Sequence, residues 1–254
     1  MNPLDALLIF AVGLVASIFG SLVGLGGGFV IIPVLRLAFG VPPAQAAGTS
    51  LVMVVANTAA ATFGYLRNRV VDLRLALPFT IGAVPGSIAG VFAVKRFSPI
   101  GFDVAYGGVL MLLAVLVLRR RGVESRPATE RTFAHDPRVG VLAGVGVGFF
   151  SSLFGIGGGV VMIPLLLIAA RMPPHVVTAT SAFVITLTAP VGVITHAAAG
   201  DVDWIFTSPL VVGGIAGGSI GPMIAKRISS PALITLLAVA LMCAALGLAL
   251  RHLA

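Results

Sequence analysis

Two glycine-rich motifs are the residues of this chain whose type and spacing best fit ligand chemistry. One is Gly24-Leu25-Gly26-Gly27-Gly28 followed by Pro33, and the other is Gly155-Ile156-Gly157-Gly158-Gly159 followed by Pro164. Glycines leave backbone N–H groups unblocked, and a helix N-terminus attracts anions through such groups and a dipole worth about half a charge. Two N-termini that converge from the two motifs would bind a small anion without a buried cation. The alternative is close helix packing through small residues, or a kink at each proline.

Polar side chains near the helix that follows each motif could complete that site. The pairs Thr49-Ser50 and Thr180-Ser181 lie near predicted helix starts, where hydroxyls cap a helix or donate to a ligand. Asn57 corresponds to Thr188 about two turns deeper, and these side chains either contact substrate or hydrogen-bond a neighbouring helix. The predicted substrate-binding residues are Gly26, Gly27, Gly28, Gly157, Gly158, Gly159, Thr49, Ser50, Thr180, Ser181, Asn57 and Thr188.

Four ionisable residues lie near predicted helix ends. His196 stands between an apolar stretch and an acidic loop, where it either shuttles a proton or has a structural role. Asp72 and Asp203 precede helix starts, and we expect both to be caps because a carboxylate stabilises a helix N-terminus. Arg36 follows the first glycine motif, and it either draws anions towards a vestibule or extends to lipid headgroups.

Motifs of metal-dependent hydrolases and nucleotide-dependent enzymes are missing from the sequence. There is no H-E-x-x-H, no metal-spaced Cys/His cluster and no phosphate-binding G-x-x-x-x-G-K-[ST]. The long apolar stretches also contain no carboxylate, which argues against an ion relay built from buried Asp or Glu. We therefore predict neither catalysis nor ATP-driven pumping, and we predict no cofactor and no metal ion.

The elements that position the motifs must be membrane helices, because the composition is that of an integral membrane protein. Of 254 residues, 58% are apolar and 9% are charged, and the mean hydropathy is +1.13, against roughly 25% charged residues in a soluble domain. A soluble domain, a disordered chain and a disulfide scaffold are excluded, the last because Cys243 is the only cysteine. The 16 Lys and Arg against 8 Asp and Glu are topology signals in such a protein, so no nucleic-acid partner is predicted.

Eight stretches free of ionisable residues predict an all-α, polytopic membrane protein. About 20 residues at 1.5 Å each cross the roughly 30 Å hydrocarbon core, and the stretches lack the period-2 alternation of a membrane barrel. The first and fifth stretches, 30 and 32 residues long, each contain one glycine motif, so we predict two broken helices. The eight stretches are Ala6–Leu35, Leu37–Leu66, Leu75–Val94, Val104–Leu118, Val139–Ala170, Val176–Thr195, Trp204–Ala225 and Ile228–Leu250.

The chain aligns with itself without a gap when Gly26 is placed on Gly157, and this alignment indicates two homologous repeats. We call it the repeat alignment. Over Gly24–Ser50 it gives 13 identities in 27 positions. Each repeat contains about four apolar segments, of which the first is broken. The predicted domains are a first transmembrane repeat over 1–118, an arginine-rich cytoplasmic linker over 119–138 and a second transmembrane repeat over 139–254.

The orientation of the two repeats depends on whether each broken segment crosses the membrane or re-enters it as a hairpin. If it crosses, the repeats are parallel, and the Lys and Arg residues divide 10 to 6 between the linker side and the other side. If it re-enters, the repeats are inverted, the division is 12 to 4 and the membrane segments exceed eight. The positive-inside rule does not separate divisions this similar, so both alternatives stay open.

The two motifs and the residues that follow them resemble the TauE/SafE sulfite exporter family. The resemblance rests on Gly24 to Pro33 followed by Pro42 to Ser50, repeated as Gly155 to Pro164 and Pro173 to Ser181. It covers nearly the whole chain except the linker. The resemblance implies a multi-pass permease of the bacterial inner membrane that moves small sulfur-containing anions such as sulfite or organosulfonates, usually outward.

Residues and resemblance together predict a secondary transporter whose anion binds at paired half-helix N-termini near the membrane midplane. Its partners would be the small anion and the lipid bilayer, and the sequence is compatible with a homo-oligomer. Two alternatives stay open, namely an anion channel and a non-transporting membrane scaffold for a partner in sulfur metabolism.

Overall fold

The computed structural model describes residues 2–118, 136–168, 172–225, 227–228 and 230–251. Over these residues the chain is all-helical, with ten α-helices and no strand. Most of the predicted linker 119–138 lies outside the described residues. The helices are α1 (Pro3–Val23), α2 (Gly28–Leu37), α3 (Pro43–Arg67), α4 (Leu73–Val94), α5 (Pro99–Leu118), α6 (Pro137–Phe154), α7 (Gly159–Ile168), α8 (Pro174–Ala198), α9 (Trp204–Ala225) and α10 (Ser230–Arg251).

Seven of these helices are long and apolar enough to cross a membrane. Their apolar segments have 18 to 25 residues, against the roughly 20 that the hydrocarbon core requires. Helices α2 and α7 have only 10 residues each, so neither crosses the core alone. The chain is therefore a multi-pass membrane protein. The seven candidate spans are α1, α3, α4, α5, α6, α8 and α9.

One predicted absence needs correction. The sequence predicts about eight segments, two of them broken, and the described residues form ten helices, because residues 24–27 separate α1 from α2 and residues 155–158 separate α6 from α7. The prediction that long helices contain no carboxylate is wrong for Asp103, which lies in α5 at 2% exposure. Helix α5 begins at Pro99 rather than at Val104. The helix tolerates the carboxylate because an arginine pairs with it.

Glycines let two pairs of helices pack at backbone distance. In one pair, Gly213 of α9 lies against the carbonyl of Phe10 in α1, and Gly217 lies against the carbonyl of Leu14. Residue numbers rise together along this contact, so α1 and α9 run in the same direction. Small residues permit such close approach in a membrane, where the hydrophobic effect between helices is absent. Helices α4 and α6 pack in the same way through Gly82, Gly86 and Gly90.

The helix ends define two faces of the bundle, which we call the linker face and the opposite face. The linker face contains the end of α5 and the start of α6, between which the linker lies. Gly48 of α3 packs beside His196 of α8, and the hydroxyl groups of Thr62 and Thr186 are 2.9 Å apart, so α3 and α8 run in opposite directions. The end of α3 and the start of α8 lie at the linker face. The start of α3 and the end of α8 lie at the opposite face.

The half-length helix α2 runs back along α1 after a tight turn of glycines. Gly24, Gly26 and Gly27 have φ values of 78°, 80° and 85°, a left-handed conformation that glycine adopts readily and other residues adopt with strain. The turn brings Gly27 back against the carbonyl of Ala16 in α1. Left-handed φ values of 67°, 91° and 77° recur at Gly155, Gly157 and Gly158.

Candidate anion site between two glycine turns

Two glycine turns meet at the centre of the bundle. Residues 24–28 form the first glycine turn and residues 155–159 form the second, and all ten residues are buried. Gly28 at the start of α2 packs against the Gly155 carbonyl, and Gly159 at the start of α7 packs against the Gly24 carbonyl. A methyl group at either position would overlap those carbonyl oxygens. The absence of side chains therefore lets the N-termini of α2 and α7 come together.

The first backbone N–H groups of α2 and α7 are the candidate donors to a ligand. Among the described residues, no hydrogen bond uses the N–H of Gly28, Phe29, Gly159 or Val160. A helix leaves its first N–H groups without an intrahelical partner, and burying such groups without an acceptor is costly. Each N-terminus also carries the equivalent of about half a positive charge. Four donors and roughly one unit of positive dipole charge are thus gathered in one buried region.

The predicted serine hydroxyls hold the two turns together. The Ser50 hydroxyl of α3 donates to the Gly155 carbonyl of the second turn at 2.8 Å. The Ser181 hydroxyl of α8 donates to the Gly24 carbonyl of the first turn at 2.9 Å. Each serine therefore fixes the turn of the other half of the chain, and its hydroxyl proton is used in that bond.

The predicted threonine hydroxyls receive backbone hydrogen bonds from two loops. Thr49 accepts from the N–H of Asp203 at 2.9 Å, and Thr180 accepts from the N–H of Asp72 at 3.0 Å. The two aspartates are helix caps, which confirms the sequence prediction, because Asp72 accepts from Leu75 N at 3.2 Å and Asp203 accepts from a backbone N–H of α9 at 3.0 Å. The predicted hydroxyls thus lie beside the turns and bind the protein itself.

Asn57 and Thr188 differ in what their side chains contact. Asn57 is fully buried, and neither its Oδ1 nor its Nδ2 has a hydrogen-bond partner among the described residues. It packs against Gly218 of α9, whereas its neighbour Thr58 packs against Gly26 of the first glycine turn. The Thr188 hydroxyl donates to the Val184 carbonyl of its own helix at 2.9 Å. Since an unpaired buried amide costs about 1–3 kcal/mol, the Asn57 amide is the polar group of this pair that remains available to a ligand.

His196 is buried beneath the loop that follows α8. Its Nε2 is 3.0 Å from the Ser152 carbonyl of α6, and its Nδ1 is 3.5 Å from Oδ2 of Asp201. The same carboxylate oxygen is 3.2 Å from Nζ of Lys95 at the end of α4. The ring therefore contacts the last turn of α6, just before the second glycine turn. Among the described residues, no three His, Cys, Asp or Glu side chains are placed to hold a metal ion.

Arg36 has neither of the two roles expected from the sequence. Its Nε and Nη2 donate to the two carboxylate oxygens of Asp103 at 2.8 Å each, and its Nη1 donates to the Val41 carbonyl at 2.8 Å. The Arg36 and Asp103 side chains are 4% and 0% exposed. A bidentate buried pair of this kind fixes the end of α2 to α5. The guanidinium is consequently neither in a vestibule nor at the headgroups.

A cavity of about 400 Å³ lies at the linker face, and we call it the linker-face cavity. The Tyr65 hydroxyl in its wall donates to the Ser21 carbonyl at 2.7 Å, in the last turn of α1. Arg67 and Arg69 beside it are exposed. A second groove of about 460 Å³ between α1, α2 and α10 has an apolar lining that fits lipid rather than an anion. The linker-face cavity has a mixed lining of Tyr65, Asn68, Val70, His175, Pro222 and Ala225.

Comparison with known proteins decides the family. The family model described as Sulfite exporter TauE/SafE matches residues 9–248. The chain belongs to the TauE/SafE family. This membership confirms the resemblance predicted from the glycine motifs, and it makes the chain a multi-pass membrane transporter of that family.

Relatives of this TauE/SafE protein occur in bacteria and in an archaeon. The Probable membrane transporter protein YunE of Bacillus subtilis is 31% identical over 92% of this chain and 93% of that protein. The Probable membrane transporter protein MJ0441 of Methanocaldococcus jannaschii is 31% identical over 78% of this chain and 75% of that protein. A Probable membrane transporter protein of Xylella fastidiosa is 31% identical over 86% of this chain and 84% of that protein. No solved structure matches the chain.

Sequence reasoning missed two apolar residues that line the TauE/SafE glycine turns. Val54 of α3 packs against both Gly26 and Gly157, and Ile185 of α8 packs against Gly157 and Gly159. They are ordinary apolar residues of apolar helices, so composition does not single them out. The only sequence signal is that the repeat alignment places Val54 on Ile185.

Proposed function

We propose that this protein is a secondary transporter of small sulfur-containing anions such as sulfite or organosulfonates. The observation that carries the proposal is the meeting of two half-length helices at their N-termini, with backbone donors that no described residue uses. Sulfite oxygens are acceptors for such N–H groups. The description of the family supports a sulfur oxyanion as the substrate. The names of the relatives describe probable membrane transporters and give no substrate.

We further propose that the two halves are inverted repeats, each with a re-entrant half-helix. The two serine bonds correspond under the repeat alignment, and so do the two threonine bonds. Helices α3 and α8 correspond under the same alignment and run in opposite directions. These facts support the 12 to 4 division of basic residues. Transporters built in this way bind substrate where broken helices meet at the repeat interface.

The proposed orientation has the linker face in the cytoplasm of a bacterial inner membrane. The support is the positive-inside rule, because the arginine-rich linker joins α5 to α6 at that face. The linker-face cavity beside Tyr65 would then open to the cytoplasm, where an anion to be exported would enter. Exposed Arg67 and Arg69 near the cavity attract anions to its mouth.

A carrier is favoured over an open channel because the site is closed. All residues of both glycine turns are buried, as the occluded state of an alternating-access carrier requires. The donors in the site are backbone groups, so the proposed activity is binding and movement of an anion without a catalytic step, a cofactor or a metal ion.

Alanine at Gly28 or Gly159 tests the site. Neither glycine has a left-handed φ, so alanine adds only a methyl group, which meets a carbonyl of the opposite turn. We expect saturable sulfite efflux from proteoliposomes to fall about tenfold or more, because displacing one charge-assisted bond costs about 1.5–3 kcal/mol. Gly108→Ala and Gly146→Ala are matched controls with no atom within 4 Å of the added methyl, and they should transport normally.

Three other outcomes of the efflux assay would point away from the proposed site or function. Full efflux in both test variants would refute the glycine site. Efflux that rises linearly with sulfite concentration and shows no counterflow would make the protein a channel. No movement of sulfite or of any organosulfonate, together with a partner that stays bound through purification, would favour the scaffold.

A further inference from the structure

Tyr65 and His196 occupy corresponding positions near the ends of α3 and α8, because the repeat alignment places one on the other. The Tyr65 hydroxyl donates to the Ser21 carbonyl at 2.7 Å, and His196 binds the Ser152 carbonyl through Nε2 at 3.0 Å. Both carbonyls belong to the last turn of a helix, where C=O groups lack an intrahelical partner. The two halves satisfy equivalent carbonyls with different side chains, and only the histidine titrates near neutral pH.

A carboxylate and an ammonium group accompany the histidine. Nδ1 of His196 is 3.5 Å from Oδ2 of Asp201, and Nζ of Lys95 is 3.2 Å from the same oxygen. The three side chains are 0%, 13% and 41% exposed in that order, so they form a line from the buried ring to solvent at the opposite face. The other elements against the ring present uncharged groups, namely the Ser152 carbonyl of α6 and Gly48 of α3.

The hydrogen bond to α6 determines where a further proton must go. A carbonyl only accepts, so Nε2 carries a hydrogen when it contacts Ser152. The neutral ring then turns the lone pair of Nδ1 towards a carboxylate oxygen, which is repulsive. A proton on Nδ1 replaces this repulsion with a charge-assisted hydrogen bond.

We propose that His196 and Asp201 together bind one proton and that this proton makes the rate of anion movement depend on the pH at the opposite face. The proposal rests on the transport function proposed above. The proton enters from solvent through Asp201, is held between Oδ2 and Nδ1, and leaves by the same route, and no other bond forms or breaks. The charged ring lies against Ser152, which stands three positions before Gly155, so it attracts an anion held at the glycine turns.

The loop that contains Asp201 connects this proton to the anion site. Slightly further along the loop, the N–H of Asp203 donates to the Thr49 hydroxyl at 2.9 Å. The residue after Thr49, Ser50, holds the second glycine turn through the Gly155 carbonyl at 2.8 Å. Loss of the proton restores repulsion between Nδ1 and the carboxylate and loosens the loop from α8. The contacts from loop to threonine to serine carry that change to the turns.

His196→Tyr is the sharpest test, because it installs the side chain that the first half uses at the corresponding position. Tyrosine can donate to the Ser152 carbonyl and does not titrate near neutral pH. Asp201→Asn is a second variant, and His135→Gln, in the linker outside the described residues, is the histidine control. The assay follows the rate of sulfite counterflow in proteoliposomes at a series of pH values, with the same pH inside and outside. Size-exclusion profiles of all variants establish that they fold.

The expected result is a sulfite counterflow rate that falls as the pH rises, by up to about tenfold per pH unit above the midpoint of the shared proton, in the original protein and in His135→Gln. This pH dependence should be lost in His196→Tyr and Asp201→Asn, while sulfite counterflow itself persists. The same pH dependence in both variants overturns the proposal, and so does a counterflow rate in the original protein that does not change with pH.

A failure of transport itself is distinguishable from a failure of this proposal. If the original protein moves no sulfite, the proposed function is wrong. Proton binding by His196 and Asp201 is then measured directly in the purified protein. NMR titration of histidine-labelled protein in detergent should show a buried ring whose midpoint moves in Asp201→Asn and whose signal is missing in His196→Tyr. A His196 signal that titrates identically with and without the Asp201 carboxylate overturns the proposal.

Discussion

Asp103→Asn should destabilise the protein strongly, because Arg36 would keep its charge and lose its ionic partner. The guanidinium makes two bonds of 2.8 Å to the carboxylate, and both side chains are nearly inaccessible to solvent. Removing one member of a buried pair costs about 3–5 kcal/mol. At roughly 2–4 °C per kcal/mol for chains of about this size, the expected loss in Tm is roughly 6–20 °C.

The double variant Arg36→Met/Asp103→Leu should recover most of that loss. Replacing both charges by apolar side chains of similar volume removes the uncompensated charge, and such replacements are often neutral or stabilising. Full recovery is not expected, because the carbonyls of Val41 and Pro99 also accept from Arg36. Losing a donor to a buried carbonyl costs about 1–3 kcal/mol.

Thermal unfolding of the detergent-purified variants measures both effects, with sulfite affinity determined on the same samples. Asp136→Asn is the matched control, because Asp136 caps α6 at an exposed position and asparagine caps a helix about as well as aspartate. A Tm for Asp103→Asn equal to that of the control, accompanied by tighter sulfite binding, would refute the reasoning. Arg36 would then be an anion-attracting residue rather than the bond between α2 and α5.

The remaining predictions concern the hydroxyls and the amide near the turns. Ser50→Ala and Ser181→Ala should each lower the free energy of unfolding in denaturant by about 1 kcal/mol and weaken sulfite binding in calorimetry, since each serine holds the opposite turn. The exposed Ser219→Ala is the control, and a turn variant that behaves like it would show that other contacts hold the turn. Asn57→Thr installs the residue of the corresponding position and should raise the free energy of unfolding by about 1 kcal/mol, because it removes an unpaired amide. It should weaken sulfite binding, and unchanged affinity would show that the amide does not bind the anion.

Local signals in the sequence predicted the elements and the caps well. Unbroken apolar stretches predicted an all-helical membrane protein. Asp72 and Asp203 were recognisable as caps because a cap bonds to an N–H two or three residues further along the chain. Such interactions depend on the spacing within one segment, which the sequence displays directly.

The sequence does not predict which residues from distant segments contact each other. Charge as a marker of helix ends fails at Asp103, because its cost in the membrane is offset by Arg36, 67 residues away. Ser50 was recognised as a candidate, but its acceptor is 105 residues further along the chain. The sequence places His196 between an apolar stretch and an acidic loop, and only the loop folded over it makes it a buried ring. These partners are set by packing.

The tightest helix contacts in this protein join the two halves of the chain rather than the helices within each half. Helix α1 lies at backbone distance from α9, and α4 lies at backbone distance from α6. Because α1 ends at Val23 and α9 begins only at Trp204, α1 must remain in the bilayer without its partner while most of the protein is synthesised. Neither half has a finished core of its own. If the two halves are the inverted repeats proposed above, the same interlocking would form between two separate half-length chains that exchanged helices.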